Sequence, residues 1–155
     1  MRRLLFVIAL SGACGSAQKN QETLTDAIRA YNDGLRWNRF EVAASQVPPK
    51  ERAEFVDEMD ERADTLKMTD YEVVKVDSKG EKEARVQVKV SWYLDNIGTL
   101  HETHAVQTWE RHGKVWWMVD ESRLRGDEMP GLSEPDDTAT APADPARPLP
   151  APSVN

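Results

Sequence analysis

Cysteine, basic charge and long apolar runs are all scarce in this sequence of 155 residues. Its one cysteine, Cys14, excludes an intrachain disulfide framework and a cysteine-based zinc cluster. Because 27 acidic residues outnumber 20 basic ones, the net charge of -7 argues against a nucleic-acid-binding protein, which would need a basic face. No apolar run is long enough to span a bilayer, since even the run at residues 4–10 has only seven residues. The sequence also lacks a nucleophile elbow, a phosphate loop and a dinucleotide fingerprint, so we predict no cofactor.

The N-terminus has the order of a secretory signal. Arg2 and Arg3 precede the apolar run, and small residues follow it up to Cys14. The segment Leu10-Ser11-Gly12-Ala13-Cys14 resembles the lipobox of bacterial lipoproteins, with the large aliphatic residue four places before the cysteine. The resemblance implies that the signal peptide, residues 1–13, is removed and that Cys14 then carries lipid, palmitate included.

A lipidated Cys14 implies an exported protein that is anchored to the cell envelope. Gly15, rather than Asp, follows the cysteine and is similar to the outer-membrane sorting class, which favours the outer over the inner membrane. One acyl chain binds a membrane only marginally, so stable anchoring needs the several chains that lipoprotein acylation supplies. The alternative is an ordinary signal peptide cut after a small residue, which would leave a soluble periplasmic protein with a free thiol.

Composition divides the rest of the chain into three parts. Residues 14–22 form a short polar tether, and residues 23–126 have the size of a domain with a single core. Residues 127–155 hold seven of the nine prolines and repeated Ala-Pro pairs. Such a segment buries too little apolar surface to order itself, so we predict a disordered acidic tail. The alternative is that this tail has a function and extends to contact peptidoglycan or a partner.

Apolar spacing predicts an α+β domain, with two N-terminal helices packed on a curved antiparallel sheet of about four strands. The first helix carries Leu24, Ile28, Tyr31 and Leu35 on one face. A second amphipathic helix follows the Pro48-Pro49 break. It is predicted at residues 51–66, and the strands at residues 71–76, 84–94, 100–111 and 115–121.

The predicted turns set the register of the sheet. A four-residue loop at residues 95–98 pairs Ala84 with Trp109, and a two-residue loop at His112-Gly113 pairs Trp109 with Trp116. Paired residues share a face of a sheet, and one face here collects the apolar residues that the helices should cover. This predicted core face carries Ala84, Val86, Val88, Val90, Trp92, Ala105, Trp109, Trp116 and Met118.

The opposite face of the sheet also carries apolar residues, and no predicted helix remains to cover them. They are Val106, Val115, Trp117 and Val119. An apolar patch of this kind is typical of a protein interface. We therefore predict that this face binds a second copy of the chain or an envelope protein.

Two helices followed by a curved antiparallel sheet resemble the nuclear-transport-factor-2-like, or cystatin-like, group, and specifically its small bacterial lipoproteins. The resemblance implies a conical sheet that can hold a pocket. Because members include enzymes and plain binding modules, it implies no particular activity. It rests on residues 31–37 and 40–44, the Pro48-Pro49 break, and residues 107–110 and 113–116.

Asp120 is the acid of greatest chemical interest, because the predicted register places it on the core face near Thr103. A carboxyl group in a partly apolar pocket has a raised pKa and can act as an acid or a base. The alternative is a hydrated carboxylate at a strand end. Trp92, Trp109 and Trp116 complete the candidate pocket, although paired tryptophans usually fill cores.

No metal site and no catalytic residue are predicted. His101 and His104 lie on a predicted strand, where their side chains point to opposite faces, and their spacing is not that of a zinc motif. The sequence therefore predicts a cell-envelope lipoprotein that acts as a non-enzymatic binding or assembly module. The alternative is a pocket protein or enzyme of the same fold that uses Asp120. The expected partners are the membrane, through lipid on Cys14, and a protein on the open sheet face, without nucleic acid.

Overall fold

Three helices cover one face of a four-stranded antiparallel sheet in the computed structural model, which describes residues 22–134. This arrangement confirms the predicted α+β class. The predicted signal peptide, Cys14, nearly all of the predicted tether and the chain after residue 134 lie outside the described residues. None of the described helices is both long and apolar enough to cross a membrane. The elements are α1 (Leu24–Arg36), α2 (Phe40–Ala44), α3 (Arg52–Ala63), β1 (Leu66–Lys79), β2 (Glu83–Leu94), β3 (Leu100–His112) and β4 (Val115–Gly126).

Helix α1 begins at a side-chain cap and packs on the sheet through one face. The hydroxyl of Thr23 accepts a hydrogen bond from the backbone nitrogen of Asp26 at 3.1 Å. The carboxylate of Asp26 in the first turn also suits the positive end of the helix dipole. Ile28 and Tyr31 are buried against the sheet, as the apolar spacing predicts, and Ala27 is buried beside them.

Helix α2 is a third, short helix that the prediction of two N-terminal helices does not include. Asn38 has a φ of 51° and turns the chain after α1, so that α2 begins at Phe40. The two helices cross closely at Gly34. A Cβ atom there would lie 2.7 Å from the backbone nitrogen of Ala43, so this crossing requires glycine.

The second predicted helix corresponds to α3 but ends earlier than predicted. Helical spacing continues to Leu66, yet α3 ends at Ala63 and Leu66 begins β1. Leu66 still packs against the core, from the sheet rather than from the helix. An apolar residue at helical spacing therefore serves the same core from a different element.

The sheet is a meander in the order β1-β2-β3-β4. The predicted pairing of β2 with β3 is confirmed, because Ala84 pairs with Trp109 and Val88 pairs with Ala105. All nine residues of the predicted core face are buried. The alternation of apolar residues along β2 and β3 is thus a reliable guide to the covered face.

The predicted pairing of β3 with β4 is wrong by two positions. His112 pairs with Val115, so the hairpin loop is Gly113-Lys114, and Gly113 takes the left-handed conformation with a φ of 66°. Trp109 consequently pairs with Met118 rather than with Trp116. Because side chains alternate with a period of two, a shift of two leaves each of these residues on its predicted face.

A β-bulge in β4 then reverses the face of the sheet on which the next side chains of this strand lie. Trp109 pairs with Met118, but the next pair is Thr108 with Asp120, so Val119 is the extra residue. Beyond the bulge, Asp120 lies on the outer face and is exposed, and Glu121 pairs with Gln107 on the inner face. The prediction that Asp120 lies on the core face is wrong for this reason.

Residues 127–134, here called the C-terminal segment, contact the domain beyond the predicted boundary at residue 126. The backbone nitrogen of Asp127 donates to the carbonyl of Glu102 at 2.9 Å, and that of Arg123 donates to the carbonyl of Ser133 at 2.7 Å. Met129 packs against the core. The segment therefore returns along the free edge of β4 and toward the helices.

Candidate functional site

A cavity of about 320 Å³ opens between α3, the inner face of β4 and the C-terminal segment. This volume is at the lower end of the range for ligand pockets, roughly 300–1,000 Å³. Seven of its fourteen lining residues are apolar or aromatic. These apolar and aromatic residues are Tyr31, Val47, Phe55, Met59, Met118, Val119 and Leu132.

The cavity exists because α3 rests on the edge of the core without entering it. No residue of α3 is buried, although Phe55 is half-buried and packs against the core cluster. The Pro48-Pro49 pair precedes the helix and fixes where it can begin. Tyr31 and Phe55, from α1 and α3, pack against each other in the wall of the cavity, with ring centroids 6.0 Å apart.

Glu121 is the carboxylate at the base of this cavity. Its Oε2 accepts a hydrogen bond from the hydroxyl of Tyr31 at 2.9 Å, and its Oε1 accepts one from Nε2 of Gln107 at 2.8 Å. Tyr31 is 1% exposed and Gln107 is fully buried. Two rigid donors therefore hold the carboxylate in one position while it lines the cavity.

A buried polar network supports these donors from behind. Gln107 Nε2 also donates to Oδ1 of Asn32 at 3.0 Å, and Trp109 Nε1 donates to Oε1 of Gln107 at 3.3 Å. Asn32 Nδ2 donates to the backbone carbonyl of Ile28 at 2.8 Å. Buried polar groups without hydrogen-bond partners destabilise the folded state. These hydrogen bonds therefore allow the side chains of Asn32, Gln107 and Trp109 to lie in the core.

Burial has the largest effect on the pKa values of Glu121 and Tyr31. Burial raises the pKa of Glu121 above its ordinary value, and the nearby charge of Asp120 raises it further. The hydrogen bonds from Gln107 and Tyr31 favour the ionised form and partly oppose this rise. Burial, followed by the charge of Glu121, also raises the pKa of Tyr31 well above its usual range, so its hydroxyl remains a donor.

The charged residues of the cavity lining are mostly acidic. Five carboxyl groups and one guanidinium group belong to its lining. The guanidinium, that of Arg62, pairs with Glu58 one helical turn away at 3.0 Å. The acidic lining residues are Glu51, Glu54, Glu58, Asp120 and Glu121.

Of the five residues predicted to form a pocket, only Asp120 borders this cavity, and it does so from the exposed rim. Trp92 Nε1 donates to Oγ1 of Thr103 at 2.9 Å, and both side chains are buried in the core. Trp109 and Trp116 are buried as well, and Trp109 contacts the site from behind, through Gln107 and edge-on against the ring of Tyr31. The structure therefore does not bring the five together around a shared space.

The four residues of the candidate interface are unevenly exposed. Val106 is 9% exposed and Val115 is 41% exposed. Trp117 and Val119 are half-buried, and the ring of Trp117 stacks on His112 at a centroid distance of 4.1 Å. Only one of the four thus offers a large open apolar surface, and the interface stays a prediction.

The sequence did contain a signal for the site that our interpretation missed. Gln107 occupies a position of β3 that alternation assigns to the core face, between Ala105 and Trp109. A glutamine on an apolar face needs polar partners, and Asn32 lies next to Tyr31 on α1. No sequence feature identified Glu121 itself, because the bulge reverses its face.

Comparison with known proteins addresses the fold. No protein-family model matches the chain, and no curated protein matches it in sequence. A SEC-C motif-containing protein from Rhodopseudomonas palustris is similar in structure, with a TM-score of 0.56 and 13% identity over 64% of this chain and 77% of that one. A ketosteroid isomerase-like protein from Erwinia carotovora atroseptica has a TM-score of 0.53 and 13% identity over 65% of this chain and 93% of that one.

The fold is nuclear-transport-factor-2-like. The likeness confirms that part of the resemblance found in the sequence. At 13% identity it describes the fold alone. Any function must therefore be argued from the cavity and its residues.

Proposed function

We propose that this chain is a small-molecule-binding module of the cell envelope, held at the membrane by lipid on Cys14. The observation that carries the binding role is the cavity of about 320 Å³ with the half-buried carboxylate of Glu121 at its base. An apolar wall with a few fixed polar groups is typical of ligand sites, because the wall supplies affinity and the polar groups supply orientation. The lipobox-like sequence ending at Cys14 supports the anchor.

The cavity supports a binding role better than the outer sheet face supports an assembly role. Val106 and Trp117, two of the four residues of the predicted interface, are largely covered by their own neighbours. The cavity, in contrast, opens to solvent beside α3, none of whose residues is buried. A loosely packed helix can move to admit a ligand at small cost.

Proton transfer is a second candidate function at the same site. It is favoured by one arrangement, the Glu121 carboxyl group that lines the cavity beside the hydroxyl of Tyr31, at a position where burial raises its pKa. A carboxyl group whose pKa approaches the working pH is suited to general acid or base catalysis. Turnover of a retained ligand, lost in Glu121→Gln, would distinguish this function from plain binding.

Native mass spectrometry of the full chain, purified without refolding from the membranes of the cell that makes it, tests the binding role. We expect a reproducible small-molecule mass on the native chain. Leu132→Trp, which places a large side chain in the cavity, should abolish that mass. Val42→Trp adds the same ring at an exposed position of α2 and should retain it. A native chain that never carries a ligand, or a ligand equally retained by Leu132→Trp, would contradict the binding role.

Membrane attachment has its own test. Cells fed a palmitate analogue should label the native chain and not Cys14→Ser, and only the native chain should fractionate with membranes. Equal labelling of both proteins, or a native chain found in the soluble fraction, would remove the anchor. The binding role would be unaffected by that result.

A further inference from the structure

We propose that the ligand of this cavity is an organic cation, with a protonated amine or quaternary ammonium group on a small apolar body. This inference rests on the proposed binding function, because it names the class of ligand for the same cavity. It follows from three features of the lining: the balance of charge, the bonding of Glu121 and the placement of the aromatic rings.

The charge balance excludes an anion as the favoured ligand. Arg62 is the basic residue of the lining, and its guanidinium already contacts the carboxylate of Glu58 at 3.0 Å. Outside the cavity, Lys50 contacts Glu51 at 3.3 Å. Arg52, at the start of α3, donates to backbone carbonyls rather than to the rim.

Three acids of the lining have no basic partner among the residues that the structure describes: Glu54, Asp120 and Glu121. An anion entering the cavity would meet their repulsion, whereas a cation would be attracted to the opening and then held inside it. The two at the rim are exposed, so their effect is mainly to steer the ligand.

Glu121 supplies the specific contact. Its two donors, Tyr31 and Gln107, are both neutral, and each occupies one carboxylate oxygen. A carboxylate has about four acceptor sites, so further acceptor capacity remains for a ligand. A carboxylate removed from water without a cation is destabilised, and an ammonium group placed against it would relieve that cost while gaining a charge-assisted hydrogen bond.

The apolar residues of the lining would contact the uncharged part of the ligand. The rings of Tyr31 and Phe55 lie 6.0 Å apart, and the thioethers of Met59 and Met118 border the same space. Aromatic faces attract cations as well as apolar groups, by about 0.5–2 kcal/mol. A cation with an apolar body therefore matches both halves of the lining, whereas a fully polar cation would leave the apolar half unfilled.

Calorimetric titration with three probes of equal shape tests the class of ligand. Benzylamine, benzyl alcohol and benzoate differ in the charge of one substituent, and ligand-free full chain near neutral pH is the receptor. We expect benzylamine to bind about tenfold more tightly than the alcohol, as one charge-assisted hydrogen bond allows. Benzoate should bind most weakly of the three.

Variants locate the effect. Glu121→Gln should weaken benzylamine binding about tenfold and leave the alcohol nearly unchanged. Glu61→Gln removes the same charge from an exposed position of α3 outside the lining, so it should change affinity by less than about twofold. If Glu121→Gln does not fold, the rim pair Glu54→Gln and Asp120→Asn replaces it, and that double variant should slow benzylamine association.

Benzyl alcohol or benzoate binding as tightly as benzylamine would overturn the cationic class while leaving the pocket in place. A retained native ligand without a basic group would have the same meaning. Benzylamine affinity equal in the native chain and in Glu121→Gln would also overturn it. If no probe binds and the native chain retains no ligand, both the class of ligand and the proposed binding function are wrong.

Discussion

Tyr31→Phe should destabilise the fold, and the penalty should depend on pH. The variant removes the hydroxyl that donates to Glu121 at 2.9 Å from a position that is 1% exposed. A hydrogen bond to an ionised group contributes about 1.5–3 kcal/mol, against about 0.5–1.5 kcal/mol for a neutral pair. We therefore expect a loss of about 2 kcal/mol at pH values well above the folded pKa of Glu121, where the carboxyl group is ionised, and about half of that at pH values well below it, where the group is protonated.

Urea unfolding followed by tryptophan fluorescence measures both values. With a slope of about 1–3 kcal/mol per molar urea, the expected shift in midpoint is about 1 M at the higher pH, where Glu121 is ionised. Tyr71→Phe is the matched control, because the Tyr71 hydroxyl also donates to a carboxylate, Asp33, at 3.0 Å but from a half-exposed position. Its penalty should stay below about 1 kcal/mol. A Tyr31→Phe penalty below about 0.5 kcal/mol at the higher pH, or one that is equal on both sides of the Glu121 titration, would refute the role given to Glu121.

Three further predictions concern the pH response, the helix crossing and the C-terminal segment. The folded state raises the pKa of Glu121 above 4.5, so the native chain should lose stability as pH rises through the folded pKa, and Glu121→Gln should show a flatter profile in unfolding experiments. Gly34→Ala should cost about 1–3 kcal/mol despite the higher helix propensity of alanine, because the new Cβ meets the backbone of Ala43; a more stable variant would show that α2 can shift. Hydrogen bonds from His101 and from the backbone nitrogen of Glu102 lower the pKa of Asp127. The contact between the C-terminal segment and β3 should therefore weaken as pH falls through the folded pKa of Asp127. In Asp127→Asn, we expect faster hydrogen exchange of the C-terminal segment and no change in the helices.

The covered face of the sheet could be predicted from the sequence because the alternation of side chains is insensitive to a register error of two positions. Val86, Val88 and Val90 alternate with polar residues, which assigns their face directly. The hairpin between β3 and β4 was misplaced by two positions, yet Trp116 and Met118 kept their face. A shift of one position would have exposed them, and the apolar pattern excludes it.

The candidate site could not be predicted because it depends on structural features that leave no local pattern in the sequence. The bulge at Val119 places Glu121 inward, and no turn residue or change in composition marks it. The contact of Tyr31 with Glu121 joins residues that are 90 positions apart. The cavity also needs Leu132, from a segment whose proline-rich composition predicts a tail.

An experimental electron-density map of the cavity tests the central claim most directly, using full-length protein purified from its own membranes without refolding. The account predicts density for an organic molecule between Phe55 and the carboxylate of Glu121, with a cationic group within hydrogen-bonding distance of that carboxylate. Density explained by water alone, or a cavity closed by inward movement of α3, would contradict it.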